Sequence, residues 1–284
     1  MNGVPVLAVH GIGNLQKDLD PGSAARVLAE EWRKSLAEGY AACRLTHLTV
    51  PDLVVAYYAH HLSPDESQDH SDTAELEQLT AGERRIAWDF LHAAGAPVPA
   101  EEQGWPLAPL RQALHWVATV HRRPAELLSR VVVALAREVY TYLSSPARRR
   151  QARTVVIDAV RTHRPRVVLA HSLGSVVAYE ALHEATDLRV DLLITLGSPL
   201  GLRGAVFDAL DPEPRAGRGS RPPGVNRWYN VADPGDLVAL PKKLGGRFPV
   251  DRHETTHIGL VDFHTLGGYL SEGTAVAGLA AYVS

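Results

Sequence analysis

A serine, two aspartates and three histidines occur along the chain in an order that nucleophilic catalysis uses. They are, from the N-terminus, Ser172, Asp233, Asp236, His253, His257 and His264. A serine hydroxyl attacks a carbonyl carbon effectively only when a neighbouring imidazole takes its proton and a carboxylate orients that imidazole. The order serine, aspartate, histidine therefore indicates acyl transfer through a serine, provided that the fold brings three distant segments together.

The serine lies in "RVVLAHSLGSVVAYEAL", residues 166–182, at a corner between a predicted buried strand and a predicted helix. The residues two before and two after the serine must be small, or the strand and helix would collide. Ala170 and Gly174 meet this condition. Such a turn lifts the hydroxyl of Ser172 to the carboxyl edge of the sheet, beside the free N–H groups at the start of the helix. The backbone N–H of Leu173 is therefore a candidate donor to an oxyanion. The alternative is a serine that only caps this helix.

The elements that must position these residues follow a strand–helix–strand rhythm. Residues 4–11 predict a short buried strand, and residues 22–38 predict a helix that ends at Gly39. Residues 44–59 predict a second extended run. Further strands are predicted at 165–171, 190–200 and 225–233. Strands that alternate with helices build a parallel sheet, so we predict an α/β fold with a mostly parallel central sheet flanked by helices.

Residues 62–144 interrupt this rhythm and are predicted to form a helical insertion. The segments on either side, 1–61 and 145–284, then make up one α/β core. Helical patterns occupy about 72–93 and 107–144, and the second of them is strongly apolar. This apolar stripe predicts either a helical layer packed on the sheet or a cap over an active site, because long insertions in α/β domains commonly serve function.

Composition excludes several classes of function. The chain has 284 residues with a net charge of −3, so it carries no electrostatic footprint for nucleic acid. Cys43 is its only cysteine, which rules out internal disulfides and a cysteine metal cluster. We see no signal peptide, and the apolar runs are shorter than the roughly 18 residues that a membrane span needs. We therefore expect a cytoplasmic protein without stable membrane insertion.

Taken together, five stretches of this sequence resemble the α/β-hydrolase fold serine hydrolases of the lipase and esterase kind. The stretches are "LAVHGIGN", "VVLAHSLGSVVAYEAL", "LLITLGSPLGL", "YNVADPGDLVALP" and the histidine-bearing C-terminal region. They cover most of the core but not residues 62–145. The family usually has glycine where this chain has Ala170. The resemblance implies a Ser-His-Asp triad on an α/β-hydrolase fold, with no cofactor and no metal.

The resemblance also favours particular acids and bases. The acid of this family commonly precedes a "V-x-x-P" segment, which favours Asp236 and leaves Asp233 as the alternative. The histidine commonly precedes a Tyr-Leu element that leads into the final helix, which favours His264. The alternatives for the base are His257 and then His253. Whichever acid is not used is expected to cap its loop.

By the same resemblance, the second oxyanion donor is the backbone N–H of Ile12, which follows His-Gly after the first strand, while His10 is expected to be structural. The implied activity is hydrolysis of an acyl ester or thioester through an acyl-enzyme. The apolar helices at 107–143 favour a hydrophobic or lipid-like acyl group, free or attached to a carrier. The alternatives are a thioesterase, acyltransferase or cyclase that uses the same triad, and a non-catalytic binding protein on this fold.

A further alternative is a zinc peptidase, because His253-Glu254-Thr255-Thr256-His257 matches the H-E-x-x-H signature. That signature works only on a helix, where both histidines share one face. Pro249 before the stretch, Gly259 after it and two β-branched threonines inside it leave little room for a stable helix. The context therefore favours the serine chemistry.

Overall fold

The structure is a computed structural model that describes residues 4–63, 76–97, 107–259 and 264–283. These residues form six strands and nine α-helices. The strands are β1 (Val6–Val9), β2 (Leu53–Ala56), β3 (Val167–His171), β4 (Val190–Leu196), β5 (Val225–Ala232) and β6 (Arg252–Thr255). The helices are α1 (Pro21–Ala42), α2 (Ala59–Leu62), α3 (Ala81–Ala93), α4 (Leu107–Val120), α5 (Ala125–Ser144), α6 (Pro146–His163), α7 (Leu173–Glu184), α8 (Leu266–Ser271) and α9 (Thr274–Val283).

The six strands form one sheet in the order β2-β1-β3-β4-β5-β6, and every neighbouring pair is parallel. The predicted α/β class with a parallel central sheet is thereby confirmed. All residues of β1 and β3 are buried, as expected for central strands with helices on both faces. The chain passes from β1 outward to β2 and then returns to β3 on the other side of β1. The strand order thus reverses between β1 and β3, and α/β proteins place ligand sites at the carboxyl ends of the strands beside such a reversal.

Each face of the sheet is covered by its own helical layer. On one face, Trp32 and Leu36 of α1 pack with Leu270 of α8 and with Val276 and Leu279 of α9. The other face is covered by α6 and α7. Helix α5 packs on α6, and α3 and α4 pack on α5. Among the described residues, every helix is too short or too polar to span a lipid bilayer.

The apolar stripe of the predicted insertion lies in the core of this second layer. Its buried members are Leu110, Leu114, Val117, Leu128, Val132, Leu135 and Val139. They belong to the same buried cluster as the side chains that β1 and β3 direct to that face. The stripe therefore forms a helical layer, and its apolar character gives no support to a hydrophobic substrate pocket.

Three predicted elements need correction. The helical pattern at 107–144 is two helices, because Pro124 and the left-handed backbone of Arg122 (φ 52°) separate α4 from α5.

The extended run at 44–59 contains only the four-residue strand β2. Helix α1 continues through Gly39, where a Cβ would lie 2.1 Å from the carbonyl oxygen of Leu270. That glycine serves close packing against α8 and not helix termination. The first residues of the helix predicted at 72–93 lie outside the described residues.

Candidate active site

Ser172 forms the one-residue corner between β3 and α7. Its backbone has φ 51° and ψ −130°, a conformation that L-residues rarely adopt outside functional turns. Its N–H donates to the carbonyl oxygen of Leu196 on β4 at 3.0 Å, which fixes the corner to the sheet. A Cβ at Gly174 would lie 2.2 Å from the carbonyl oxygen of His10, so a larger residue would push α7 away from β1. Ser172 itself has no exposed surface.

Three side chains from distant segments meet in one chain of hydrogen bonds at this corner. The hydroxyl of Ser172 lies 2.7 Å from Nε2 of His264, and Nδ1 of His264 lies 2.8 Å from Oδ2 of Asp236 and 3.0 Å from its Oδ1. A carboxylate only accepts, so Nδ1–H donates to Asp236 and Nε2 is left to accept from the serine. This is the tautomer that a general base beside a serine requires.

The carboxylate of Asp236 is fully buried and held from several sides. The N–H of Val238 donates to Oδ1 at 2.8 Å, and the hydroxyl of Tyr269 donates to Oδ2 at 2.6 Å. The ammonium group of Lys242 donates to the backbone carbonyl of the same aspartate. Burial acts to raise the pKa of Asp236, but the imidazole of His264, the two side-chain hydrogen bonds and Lys242 together lower it. Asp236 is therefore a negative charge with a fixed orientation.

Asp233, the alternative acid, holds the loop together. Its Oδ1 accepts from the N–H of Gly235 at 2.5 Å, and its Oδ2 accepts from the N–H of Ile258 at 2.6 Å. The N–H of Asp233 donates to the hydroxyl of Tyr269 at 3.1 Å. Tyr269 thus links both aspartates, and Asp233 binds the backbone of two neighbouring segments.

The other two histidines lie away from the serine corner. His257 is exposed, and His253 stands on β6, where its Nδ1 lies 2.9 Å from Nδ2 of Asn230. The stretch Arg252–Thr255 is a β-strand paired with β5, so His253 and His257 do not share a helical face. The H-E-x-x-H match therefore lacks the geometry that zinc peptidases require.

His171, immediately before the serine, packs against the base. Its ring lies 4.6 Å from the ring of His264, centroid to centroid, and is buried. Neither of its ring nitrogens has a hydrogen-bond partner within the described part of the chain. Burial lowers the pKa of His171 well below its ordinary value, and His264 adds to this effect. The ring is therefore neutral and acts as a packing surface for the imidazole of His264.

A short chain of hydroxyls supports the corner from below. The hydroxyl of Ser175 donates to the carbonyl oxygen of Ser172 at 2.6 Å and lies 2.7 Å from that of Ser198. Because the hydroxyl of Ser175 already donates its proton to this carbonyl oxygen, the hydroxyl of Ser198 donates to that of Ser175. The N–H of Leu200 in turn donates to the Ser198 hydroxyl at 3.2 Å. The "GSPLGL" loop after β4 is thus tied to the serine corner by side-chain hydrogen bonds.

The loop after β1 faces the serine from the other side. A Cβ at Gly11 would lie 2.5 Å from Cβ of Ser172, so only glycine lets this backbone come so close. The side-chain amide of Asn14 donates to the carbonyl oxygens of Gly11 and Ile12 at 3.1 and 2.9 Å. Among the described residues, the N–H groups of Ile12 and Leu173 donate to no protein acceptor. Two candidate oxyanion donors thus remain available beside the serine.

His10 has the structural role that the sequence favoured. The N–H of Tyr58 donates to its Nε2 at 3.0 Å, so its Nδ1–H donates to the carbonyl oxygen of Gly11 at 2.8 Å. Its ring stacks on that of Tyr58 at 4.0 Å. Burial lowers the pKa of His10 to about 4, partly opposed by the hydrogen bond to Gly11. The ring is neutral at physiological pH and secures the loop after β1.

Sequence reasoning missed several of these supporting residues. Tyr269 and Asn14 stood inside the stretches that carried the resemblance, and a search for donors near the predicted acid and oxyanion loop could have found them. Ser198 also lay inside such a stretch, "LLITLGSPLGL", and Lys242 directly follows "YNVADPGDLVALP", but no sequence pattern indicated what either side chain would bind.

No protein-family model, curated protein or solved structure matches this chain.

Proposed function

We propose that this protein is a serine hydrolase of the α/β-hydrolase fold that cleaves acyl esters or thioesters. The observation that carries the proposal is the continuous hydrogen-bonded chain from Ser172 through His264 to Asp236 at a strained strand–helix corner. A serine that merely capped α7 would not need this arrangement, and the side chain of Ser172 makes no capping hydrogen bond.

In the proposed reaction, the substrate's carbonyl carbon approaches the hydroxyl of Ser172. His264 takes the hydroxyl proton on Nε2 as the oxygen attacks, and Asp236 stabilises the imidazolium that forms. The tetrahedral oxyanion accepts hydrogen bonds from the N–H groups of Ile12 and Leu173, and each such donor lowers the barrier by about 3 kcal/mol. The imidazolium then protonates the leaving alcohol or thiol, and the acyl group remains on the serine oxygen.

Water completes the cycle by the same path. His264 takes a proton from a water molecule, the resulting hydroxide attacks the acyl carbon, and the proton returns to Ser172 when the carboxylic acid leaves. A second alcohol, amine or thiol in place of water would give acyl transfer or cyclisation with the same three side chains. The first substrates to test should therefore include thioesters and carrier-bound acyl groups as well as simple esters.

The fold adds independent support. The serine corner follows β3, beside the point where the strand order reverses between β1 and β3. Asp236 follows β5, and His264 precedes α8 at the same edge of the sheet. Parallel sheets collect ligand-binding loops at this edge, and α/β-hydrolases carry their triad there in the order serine, acid, histidine.

Access to the serine is a requirement of the proposal. Because Ser172 has no exposed surface in this structure, its surroundings must rearrange before an acyl group can reach its hydroxyl. The buried apolar residues of α4 and α5 pack in the core, so the acyl preference has to be measured.

The test is steady-state turnover of p-nitrophenyl esters of increasing chain length and of matched acyl thioesters. We expect the wild-type protein to turn over at least one of them, and Ser172→Ala to abolish that turnover. Ser220→Ala, an exposed serine, is the matched control and should leave it unchanged. Turnover that survives in Ser172→Ala would refute the proposal, as would folded wild-type protein that is inactive on every substrate.

A further inference from the structure

Glu138 lies on α5, outside the triad, and reaches the loop after β1. Its Oε1 accepts the N–H of Gly13 at 2.7 Å, a contact between residues 125 positions apart. Gly13 directly follows Ile12, the candidate oxyanion donor, and has a left-handed φ of 73°. A glycine in this conformation has little intrinsic preference for one peptide orientation, so contacts from outside the loop must select it.

The contacts of this loop fix two successive peptide planes. The Gly11–Ile12 plane is held at its carbonyl oxygen by Asn14 and His10, and its N–H, that of Ile12, is left available. The next plane, Ile12–Gly13, is held at its carbonyl oxygen by Asn14 at 2.9 Å and at its N–H by Glu138. With both flanking planes fixed, φ and ψ of Ile12 are fixed as well.

We propose that Glu138 is a positioning residue that locks the Ile12–Gly13 peptide, so that the neighbouring N–H of Ile12 stays aimed at the oxyanion. This inference deepens the proposed function and rests on it for its catalytic meaning. It assigns to α5, which otherwise contributes to the core, a direct role beside the reacting carbonyl.

The helix that carries Glu138 is anchored to the serine corner. Tyr142, one turn further along α5, donates its hydroxyl to Oε2 of Glu180 at 2.6 Å. Glu180 is fully buried on α7, the helix that begins next to Ser172, and it also pairs with Arg149 of α6. The acceptor that holds the oxyanion loop and the serine that would create the oxyanion are therefore tied together through buried contacts.

The charge of Glu138 can be separated from its role as an acceptor. Burial raises the pKa of this half-buried carboxyl to about 7, while the N–H of Gly13 acts to lower it. Tyr58 interacts electrostatically with Glu138, and burial raises the pKa of that phenol well above its ordinary value, so it stays neutral. A full negative charge here would oppose the developing oxyanion. Glutamine keeps the carbonyl acceptor without the charge, so it should preserve the positioning.

The kinetic test compares Glu138→Ala with Glu138→Gln. We expect Glu138→Ala to lower kcat about 10-fold with KM nearly unchanged, less than the 10²- to 10³-fold cost of removing an oxyanion donor outright. Glu138→Gln should stay within about 3-fold of wild type, because its amide oxygen still accepts from Gly13. Glu126→Gln, an exposed glutamate in the first turn of the same helix, is the control and should match wild type.

A second measurement reads the position of the loop without any turnover. In protein labelled with ¹⁵N-glycine, amide hydrogen exchange at Gly13 should be faster in Glu138→Ala and return to the wild-type rate in Glu138→Gln. Unchanged exchange in Glu138→Ala would overturn the inference, and so would faster exchange with an unchanged kcat. If wild-type protein turned over no ester, the proposed function would fail, and the exchange rates would still decide whether Glu138 holds this loop.

Discussion

The candidate site has an acid–base side, formed by Ser172, His264 and Asp236, and an oxyanion side, formed by the loop after β1. The two sides are held in place by different kinds of contact. On the acid–base side, a catalytic side chain is held: Asp236 is fully buried and accepts from the side chains of His264 and Tyr269 and from the backbone N–H of Val238. On the oxyanion side, side chains hold backbone: Asn14 binds two carbonyl oxygens, and Glu138 binds one N–H of an exposed glycine. The first side lies in the interior, and the second borders solvent.

This difference determines what each side can tolerate. When one hydrogen-bond partner of a buried carboxylate is removed, the carboxylate loses its fixed orientation and part of the stabilisation of its charge. Substitutions on the acid–base side should therefore have severe effects. The oxyanion loop is held by several separate contacts to its backbone, so the loss of one contact should weaken catalysis without abolishing it. The four predictions that follow run from the acid–base side to the oxyanion side, in order of decreasing effect.

The largest effect is expected from removal of the base. His264→Ala should lower kcat about 10⁴- to 10⁶-fold, because the serine hydroxyl loses the group that takes its proton. Steady-state kinetics on the best ester measures this, and circular dichroism checks that the variant is folded. His257→Ala, which alters an exposed histidine, should be as active as wild type. Equal losses in the two variants would mean that the wrong histidine has been assigned.

Asp236→Asn should lower kcat about 10⁴-fold, because an amide can donate to Nδ1 of His264 and so favour the wrong tautomer. Asp233→Asn offers the comparison within the same loop. Its carboxylate accepts from the N–H groups of Gly235 and Ile258, so we expect mainly a loss of about 1–3 kcal/mol in the free energy of unfolding. Steady-state kinetics on both variants checks this comparison, and kcat should fall by orders of magnitude in Asp236→Asn but stay close to wild type in Asp233→Asn. Equal losses of kcat in the two variants would contradict the division of roles.

On the oxyanion side, Asn14→Ala removes the hydrogen bond to the carbonyl oxygen of Ile12 and one of the two at the carbonyl oxygen of Gly11, which still accepts from His10. We expect kcat to fall about 10-fold, well short of the 10²- to 10³-fold cost of deleting an oxyanion donor, because the N–H of Ile12 itself remains. The split between kcat and KM is the informative measurement. A raised KM with an unchanged kcat would place Asn14 in ground-state binding and not in support of the oxyanion loop.

The smallest effect concerns stability and pH. The pKa of Glu138 is raised from 4.5 to about 7, chiefly by burial, so between these values the folded protein keeps a proton that the unfolded chain releases. The free energy of unfolding contributed by this group is therefore fully present below pH 4.5 and is lost as the pH rises through about 7. Glu138→Gln should gain stability relative to wild type across this window, which urea unfolding at several pH values would show. A stability difference that does not change with pH would contradict the raised pKa of Glu138.

The fold class and the serine corner could be predicted because their determinants are local. Short apolar runs before helical patterns identify the strands, and the small residues around Ser172 follow from the steric demands of one turn. The choice of Asp236 over Asp233 rested on resemblance, because both follow the same strand, and only the structure shows that the second binds the backbone of its loop.

Other features depended on contacts that no local pattern encodes. Gly39 matched the pattern of a helix end, but a glycine is needed there because the backbone of α8 packs against it. The pattern at 107–144 is one periodic stripe in sequence, and a left-handed Arg122 followed by Pro124 divides it in space. Glu138 is one polar residue on a mostly apolar helix, and its partner Gly13 is 125 residues away, so nothing near it in the sequence points to the oxyanion loop.

The most direct test of the central claim is covalent labelling of the folded protein with a fluorophosphonate, followed by mass spectrometry of its peptides. The proposed function predicts one adduct, on the oxygen of Ser172, at a rate that falls sharply in His264→Ala and to zero in Ser172→Ala. Folded wild-type protein that gains no adduct, or gains it on another residue, would contradict the assignment of Ser172 as an activated nucleophile.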